Sequence, residues 1–280
     1  IVCPKRIRTI VERQLHSFFP HAQITFGTPP KIFSAEAPNI SGVVLEQGKN
    51  FVLPLKTYQY LEADPLNTLT TALTKLQGSG AAAIQMLIRP ISDSWRMHTN
   101  IASTHVADNK MHLVNRTTTA RIVGTIGEIL RSPEPKTEPG SSYKQRSPAQ
   151  EELLQALQEK GNKTGFETII RSVSTGDSQA SAEANSKTII SAFAQYYSPS
   201  LNSLKYRRVN PERLARDFLL RLFAGAPKMI LNVEELSSIY HFPNRTSEVP
   251  GMKWVMSKVL SAPTNLPSEG VVIGESNYRG

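Results

Sequence analysis

His98, His105 and His112 stand seven residues apart, a spacing that on a helix would stack three imidazoles on one side and offer nitrogen donors to a zinc-like ion. Thr99, Asn100, Thr104 and Asn109 weaken a helix there, and neither a cysteine nor a carboxylate completes the donor set. The expectation is a solvated, partly helical connection without a metal. His16 and His21 flank the end of the first helical pattern, where capping or packing suits them better than catalysis. A second constellation is Met229-Ile-Leu231 running into Asn232-Val-Glu-Glu235. Carboxylates at a strand end hold Mg²⁺ in phosphoryl-transfer enzymes, but Asn followed three residues later by Glu is equally the signature of a capping box. No G-x-x-x-x-G-K-[ST] phosphate loop lies between Ile1 and Gly280, so the cap reading prevails. There is no G-x-S-x-G or H-E-x-x-H, and the lone Cys3 has no partner. No catalytic residue is assigned, and the chain by itself is not expected to be an enzyme.

Charge makes the stronger signal. Lys5, Arg6, Arg8 and Arg13 form one basic group; Lys205, Arg207, Arg208, Arg213 and Arg216, continuing to Arg221, form another, offset only by Glu212 and Asp217. These nine residues, Lys5 to Arg216, are the candidate nucleic-acid contacts. Such groups release counterions from a phosphate backbone, and Tyr206 beside Arg207 and Arg208 adds a ring on which a base can stack. The alternative is a solvated charged face. The formal net charge of +9 over 280 residues favours polyanions or anionic lipid in either case.

The elements that must carry these residues read as follows. Pro4 opens a helix with Ile7, Ile10, Val11, Leu15 and Phe18 on one side, and Pro20 ends it. Ile1-Val-Cys3 and His21–Phe26 read as strands, with a further extended run at Val43–Leu45. Asp64-Pro65 starts a helix, Ala81–Ile88 reads as a buried central strand, and Ser147-Pro148 starts another helix. Phe166–Val173 is a strand, Ser178–Tyr197 a helix, Leu201–Tyr206 extended, Asn210-Pro211 a helix start, and Asn232 caps the last helix, which ends at Phe242-Pro243.

Strand, helix, strand, strand, helix, strand is the ferredoxin-like pattern, and the aromatic pair plus proline at Phe18-Phe19-Pro20 is echoed at Tyr196-Tyr197-Ser198-Pro199. The fold class expected is therefore α+β, with two ferredoxin-like lobes joined by a partly disordered linker. The boundaries are 1–91 for the first lobe, 92–146 for a linker partly helical or disordered, 147–269 for the second lobe with a helical C-terminal part, and 270–280 for the start of a further domain. Arg131–Pro148, turn-rich and of mixed charge, is the flexible stretch. No run reaches the ~18 consecutive apolar residues of a membrane span. One cysteine excludes an intrachain disulfide and suits a cytoplasmic setting. The chain begins without Met and ends in Gly270–Gly280, an apolar run and a turn, which reads as a piece of something longer.

Ser147-Pro-Ala-Gln-Glu-Glu-Leu-Leu154 leading to Glu159–Arg171, Asp64-Pro-Leu-Asn-Thr-Leu69 through Arg89-Pro90, and Asn232–Pro243 with Gly270–Gly280 together resemble type IV secretion or conjugative-transfer ATPases of candidate-phylum bacteria. The likeness spans most of the chain outside Ser92–Arg146. It implies the N-terminal accessory region of a coupling-protein-type, RecA-like ATPase whose motor domain lies further on. ATP and Mg²⁺ would then be bound only in that downstream domain, with no cofactor in this chain. The implied partners are DNA and secretion-channel or motor subunits, in a homo-oligomer at the inner face of the plasma membrane. The alternatives are a stand-alone basic nucleic-acid-binding protein or a structural scaffold.

Overall fold

A computed structural model describes residues 1–20, 22, 24–114, 147–223 and 229–242. The chain divides into two compact units, Ile1–Pro30 with Met252–Gly280, and Lys31–Gly251. In the first, a 3₁₀ turn at Lys5–Ile7 leads into α1, Arg8–Phe18, which buries no residue. Pro4 opens this helical stretch as expected. Ile1–Cys3 and the described residues of His21–Phe26 are not strands; His21 and Gln23, the Arg131–Arg146 part of the flexible stretch, and the Gly270–Gly280 run lie outside the described residues.

The second unit is α+β. Its elements are β1 (Asn39–Gln47), α2 (Pro65–Thr74), β2 (Ala82–Pro90), α3 (Ser94–Ala107), α4 (Met111–Val114), α5 (Pro148–Asn162), β3 (Gly165–Gly176), α6 (Gln179–Ala192), β4 (Leu204–Arg208), α7 (Pro211–Leu219), β5 (Met229–Asn232) and α8 (Val233–Ile239). Local chemistry sets most helix starts. Asp64 Oδ1 accepts from Leu66 N at 2.8 Å ahead of Pro65, Ser147 and Gln150 form a capping box ahead of Pro148, and Asn210 Oδ1 accepts from Arg213 N at 2.9 Å ahead of Pro211. Each cap satisfies amides that the first turn leaves without an intrahelical partner.

The strands form one antiparallel sheet in the order β2-β3-β1-β4, with β5 beside the start of β3. With α2 after β1 and α6 after β3, this is a βαββαβ unit in ferredoxin-like order. The pattern read from the sequence is thus present, but as a single sheet drawing β1 and β2 from residues 1–91 and β3 and β4 from beyond residue 147. Its β2–β3 connection carries α3, α4 and α5. The stretch from Ser92 that opens the expected linker holds α3, which packs on α5. β1 and β5 share one side of β3: Leu45 pairs with Ile170, and Met229 with Thr168.

Alternation along the strands separates two apolar layers. Val43, Leu45 and Ile170 face α2, α6 and α8 through Leu69, Ile189, Phe193 and Leu236. Val44, Ile169 and Val173 face Leu214 of α7, with Phe33 set edge-on to Phe218 at 6.1 Å. A third cluster joins Ala102 and Val106 of α3 to Leu153 and Leu157 of α5 and to Val52, Leu53 and Leu201.

The central strand is β3, not the Ala81–Ile88 run. β2 lies at the sheet edge and is half-exposed to exposed, whereas β3 is buried almost throughout. β3 enters beneath Trp95, which is 2% exposed. A Cβ at Gly165 would lie 2.5 to 2.6 Å from three indole atoms, closer than any carbon contact allows. Gly165→Ala is expected to lower stability by about 1–3 kcal/mol, read as a fall in the urea midpoint at unchanged slope.

Candidate nucleic-acid interface

β4 reaches the sheet edge because the loop before it is tied down. Asn202, fully buried, accepts from Lys49 N and Ser203 N at 2.9 Å each and donates to the carbonyls of Asn50 at 2.8 Å and Leu53 at 3.0 Å. Its own amide donates to Pro54 O at 2.8 Å. The strand then pairs with β1, Leu45 opposite Tyr206, Val44 opposite Arg207 and Val43 opposite Arg208. Its other side has no strand partner among the described residues. Lys205, Tyr206, Arg207 and Arg208 are all exposed, Tyr206 to 54%.

Register decides where each charge points. Tyr206 and Arg208 share the face of Val43 and Leu45, on the α6 side; Lys205 and Arg207 share the face of Val44, on the α7 side. Glu46 stands opposite Lys205, while Arg207 and Arg208 face valines. None of the three cations forms an ion pair among the described residues. Arg213 and Arg216 differ. Both converge on Asp217, Arg216 Nη2 at 2.9 Å from Oδ1 and Arg213 Nε at 3.8 Å from Oδ2. The second basic group thus divides into an unpaired edge and a partly neutralised helix.

Arg171 of β3 holds that helix from below. Buried, with its pKa lowered by desolvation and Asp217 opposing the shift, it donates to Gln85 Oε1 and Asp217 O at 3.1 Å each and to Leu222 O. Lys5, Arg6, Arg8 and Arg13 belong to the other unit and are exposed; the Arg8 guanidinium lies 3.4 Å from the centroid of the Phe26 ring.

A groove of 270 Å³ opens where β4 stops, walled by Tyr206 and Arg208 on one side and by α6 on the other. α6 is anchored by Asn185, fully buried, which accepts from Gln77 N at 2.7 Å and donates to Gln77 O and Thr175 O at 3.2 Å each. The next residues, Ser186 and Lys187, line the groove together with Ser41 and Gly42 of β1. Lys187 was not a sequence candidate. A single lysine in a helix carries no pattern, and only the packing of α6 on β1, to which β4 is paired, brings it to the groove that Arg208 lines.

The Asn232–Glu235 motif is a capping box, as expected: Glu235 N donates to Asn232 Oδ1 at 2.9 Å and Asn232 N to Glu235 Oε2 at 2.8 Å. Sequence reasoning missed the partner of Glu235. Its Oε1 accepts from Lys160 Nζ at 3.0 Å and Leu55 N at 2.7 Å, and Lys160 also donates to Ile230 O at 3.1 Å. Both side chains are about 1% exposed or less. Burial lowers the Lys160 pKa, and Glu235 opposes that shift. The adjoining cavity is about 20 Å³, room for a water, so this pair is a fastening. Beside it, Lys163 pairs with Glu234.

His98 and His105 lie on α3, and His98 meets Phe51 edge-on at 5.7 Å. Among the described residues no group of three or more His, Cys, Asp or Glu is placed to hold a metal, and no helix is long and apolar enough to cross a membrane.

Residues 2–255 match the family model described as Domain of unknown function (DUF8128), and the chain belongs to that family. No curated protein and no solved structure matches it.

Proposed function

We propose that this DUF8128 member is a non-catalytic module that contacts nucleic acid through the β4 edge. In the setting the resemblance to type IV secretion and conjugative-transfer ATPases implies, it is the accessory region that positions DNA or a channel subunit at the inner face of the membrane. ATP hydrolysis then belongs to that family's motor domain. The observation that carries the reading is β4 itself. Arg207 and Arg208, adjacent and exposed, have no ion-pair partners among the described residues and lie on a strand whose outer side has no strand partner among them. Charged edge strands also discourage edge-to-edge aggregation, which is all that a scaffold would require of these residues.

Salt and charge reversal separate the two. Binding of a labelled DNA strand is expected at low salt, with the logarithm of affinity falling linearly against the logarithm of salt concentration. Arg207→Glu with Arg208→Glu should reduce that slope by about 1.4 or more, at roughly 0.7 per phosphate contact on a single strand. Arg213→Glu with Arg216→Glu should change it less, because Asp217 already offsets those charges. Absence of binding at low salt, or identical slopes for wild type and the Arg207/Arg208 variant, would leave the scaffold.

A further inference from the structure

We infer that the groove between α6 and the end of β4 takes one nucleotide unit of an extended single strand, its base against Tyr206 and its phosphate between Lys187 and Arg208. The inference rests on the nucleic-acid reading of β4 and adds the ligand's form and the way it is held.

Size comes first. At 270 Å³ the groove falls just below the roughly 300–1,000 Å³ of sites for drug-sized ligands, which suits a planar base with its phosphate. A duplex would have to unpair and extrude a base to fill it, at a cost of a few kcal/mol. A single strand presents its bases already unpaired.

The lining matches that unit part by part. Tyr206 offers a half-exposed ring and Ile190 an apolar side chain on the helix wall; stacking on such a ring accepts every base because every base has a π-face. Lys187 and Arg208 supply two positive charges from opposite walls, and Ser186 on α6 supplies a hydroxyl. Glu183 is the one carboxylate there among the described residues and accepts from Gln179 Nε2 at 3.1 Å. Its charge repels a second phosphate, which restricts the phosphate to the Lys187 and Arg208 end. β4 pairs with β1 only from Val43 onward, so Ser41 and Gly42 present that side of their backbone to the groove without a strand partner among the described residues. The neighbouring phosphates of an extended strand then run along the exposed β4 edge past Arg207 and Lys205.

The test uses the whole chain and three labelled probes of about twelve nucleotides, within the span of a single-strand site: oligo-dT, an abasic strand of equal charge, and a duplex. Fluorescence anisotropy at low salt is compared for wild type, Tyr206→Ala, Tyr206→Phe and the Lys187→Ala, Arg208→Ala pair, each first checked for an unchanged thermal midpoint. Oligo-dT should bind wild type about 5- to 100-fold more tightly than the abasic strand, as expected for one stacked base. That preference should vanish in Tyr206→Ala and persist in Tyr206→Phe. The Lys187/Arg208 pair should weaken both single strands. Equal affinity for oligo-dT and the abasic strand, a base preference that survives Tyr206→Ala, or duplex binding as tight as oligo-dT would overturn the groove assignment while leaving the charged edge in place. No binding of any probe would overturn both.

Discussion

Glu235→Ala is expected to be among the most destabilising single substitutions in this chain, lowering stability by about 3–5 kcal/mol, because it leaves the buried Lys160 ammonium without its carboxylate. The carboxylate it removes serves three elements. It receives Leu55 N from the loop after β1, Asn232 N at the start of α8, and Lys160 Nζ from the C-terminal turn of α5. Without it the ammonium keeps, among the described residues, only Ile230 O as an acceptor, and α8 loses half of its capping box. Lys160→Met should cost less, since Glu235 would retain two backbone donors. The Lys160→Met, Glu235→Ala double variant should lose clearly less than the sum of the two single losses, because no buried charge is then left alone. Urea midpoints of the four proteins close the cycle. Additive losses would mean that the two residues act independently.

The same pair predicts a pH dependence of stated sign. Desolvation holds the folded-state pKa of Lys160 below 10.5, so between the lowered value and 10.5 the unfolded chain binds more protons than the folded one. Stability from this group therefore rises with pH across that window. Tyr196, whose OH donates to Ser238 O, has its pKa raised by burial, with Asp64 adding to the shift; it acts in the opposite direction above pH ~10. Because Tyr196 is common to both proteins, the stability of wild type minus that of Lys160→Met isolates the lysine. That difference should grow towards alkaline pH, and a constant difference would contradict a buried, desolvated ammonium.

What was legible in the sequence follows from how local its causes are. Asp64-Pro65, Ser147-Pro148, Asn210-Pro211 and Asn232–Glu235 announce helix starts because a cap is made within a few residues of itself, and each of these helices starts there. Strand position in the sheet is not local. β3 carries Thr168, Ser172, Ser174 and Thr175, all buried, so its composition does not mark it as the buried centre of the sheet. Some of those hydroxyls bond distant carbonyls: Ser174 Oγ donates to Ala182 O at 2.8 Å, and Thr175 Oγ1 lies 3.2 Å from Ala81 O. The apolar Ala81–Ile88 run looks central for the converse reason, since an edge strand that packs against a helix on one face needs the same residues. The ferredoxin-like order was recognised in kind but assigned to too short a stretch, because α3, α4 and α5 separate β2 from its partner β3. The charges of β4 stood out as a run; that Asp217 engages Arg213 and Arg216 but leaves Arg207 and Arg208 alone depends on which way a strand and a helix turn their side chains.

Arg171→Met is the second large loss to expect, about 3 kcal/mol, and its location makes it informative. α7 ends in a Schellman arrangement: Leu222 N donates to Asp217 O at 3.0 Å, Arg221 N to Phe218 O at 3.2 Å, and Arg221 sits at φ 52° where glycine is usual. The buried guanidinium grips this turn at Asp217 O and Leu222 O, while Gln85, which it also contacts, donates from Nε2 to Phe218 O at 2.9 Å. Methionine fills much of the volume but donates nothing, and hydrogen bonds to a charged donor contribute about 1.5–3 kcal/mol each. Arg171→Lys should recover little, because an ammonium on a flexible stem does not reproduce the fork that reaches separate carbonyls. Hydrogen exchange should then quicken first at the last turn of α7, with β4 protected as before, since β4 is held by its pairing with β1 and by Asn202. Folded Arg171→Met protein should accordingly bind a DNA strand with wild-type affinity. Loss of binding in step with loss of α7 protection would instead place the contact surface on the helix, through Arg213 and Arg216.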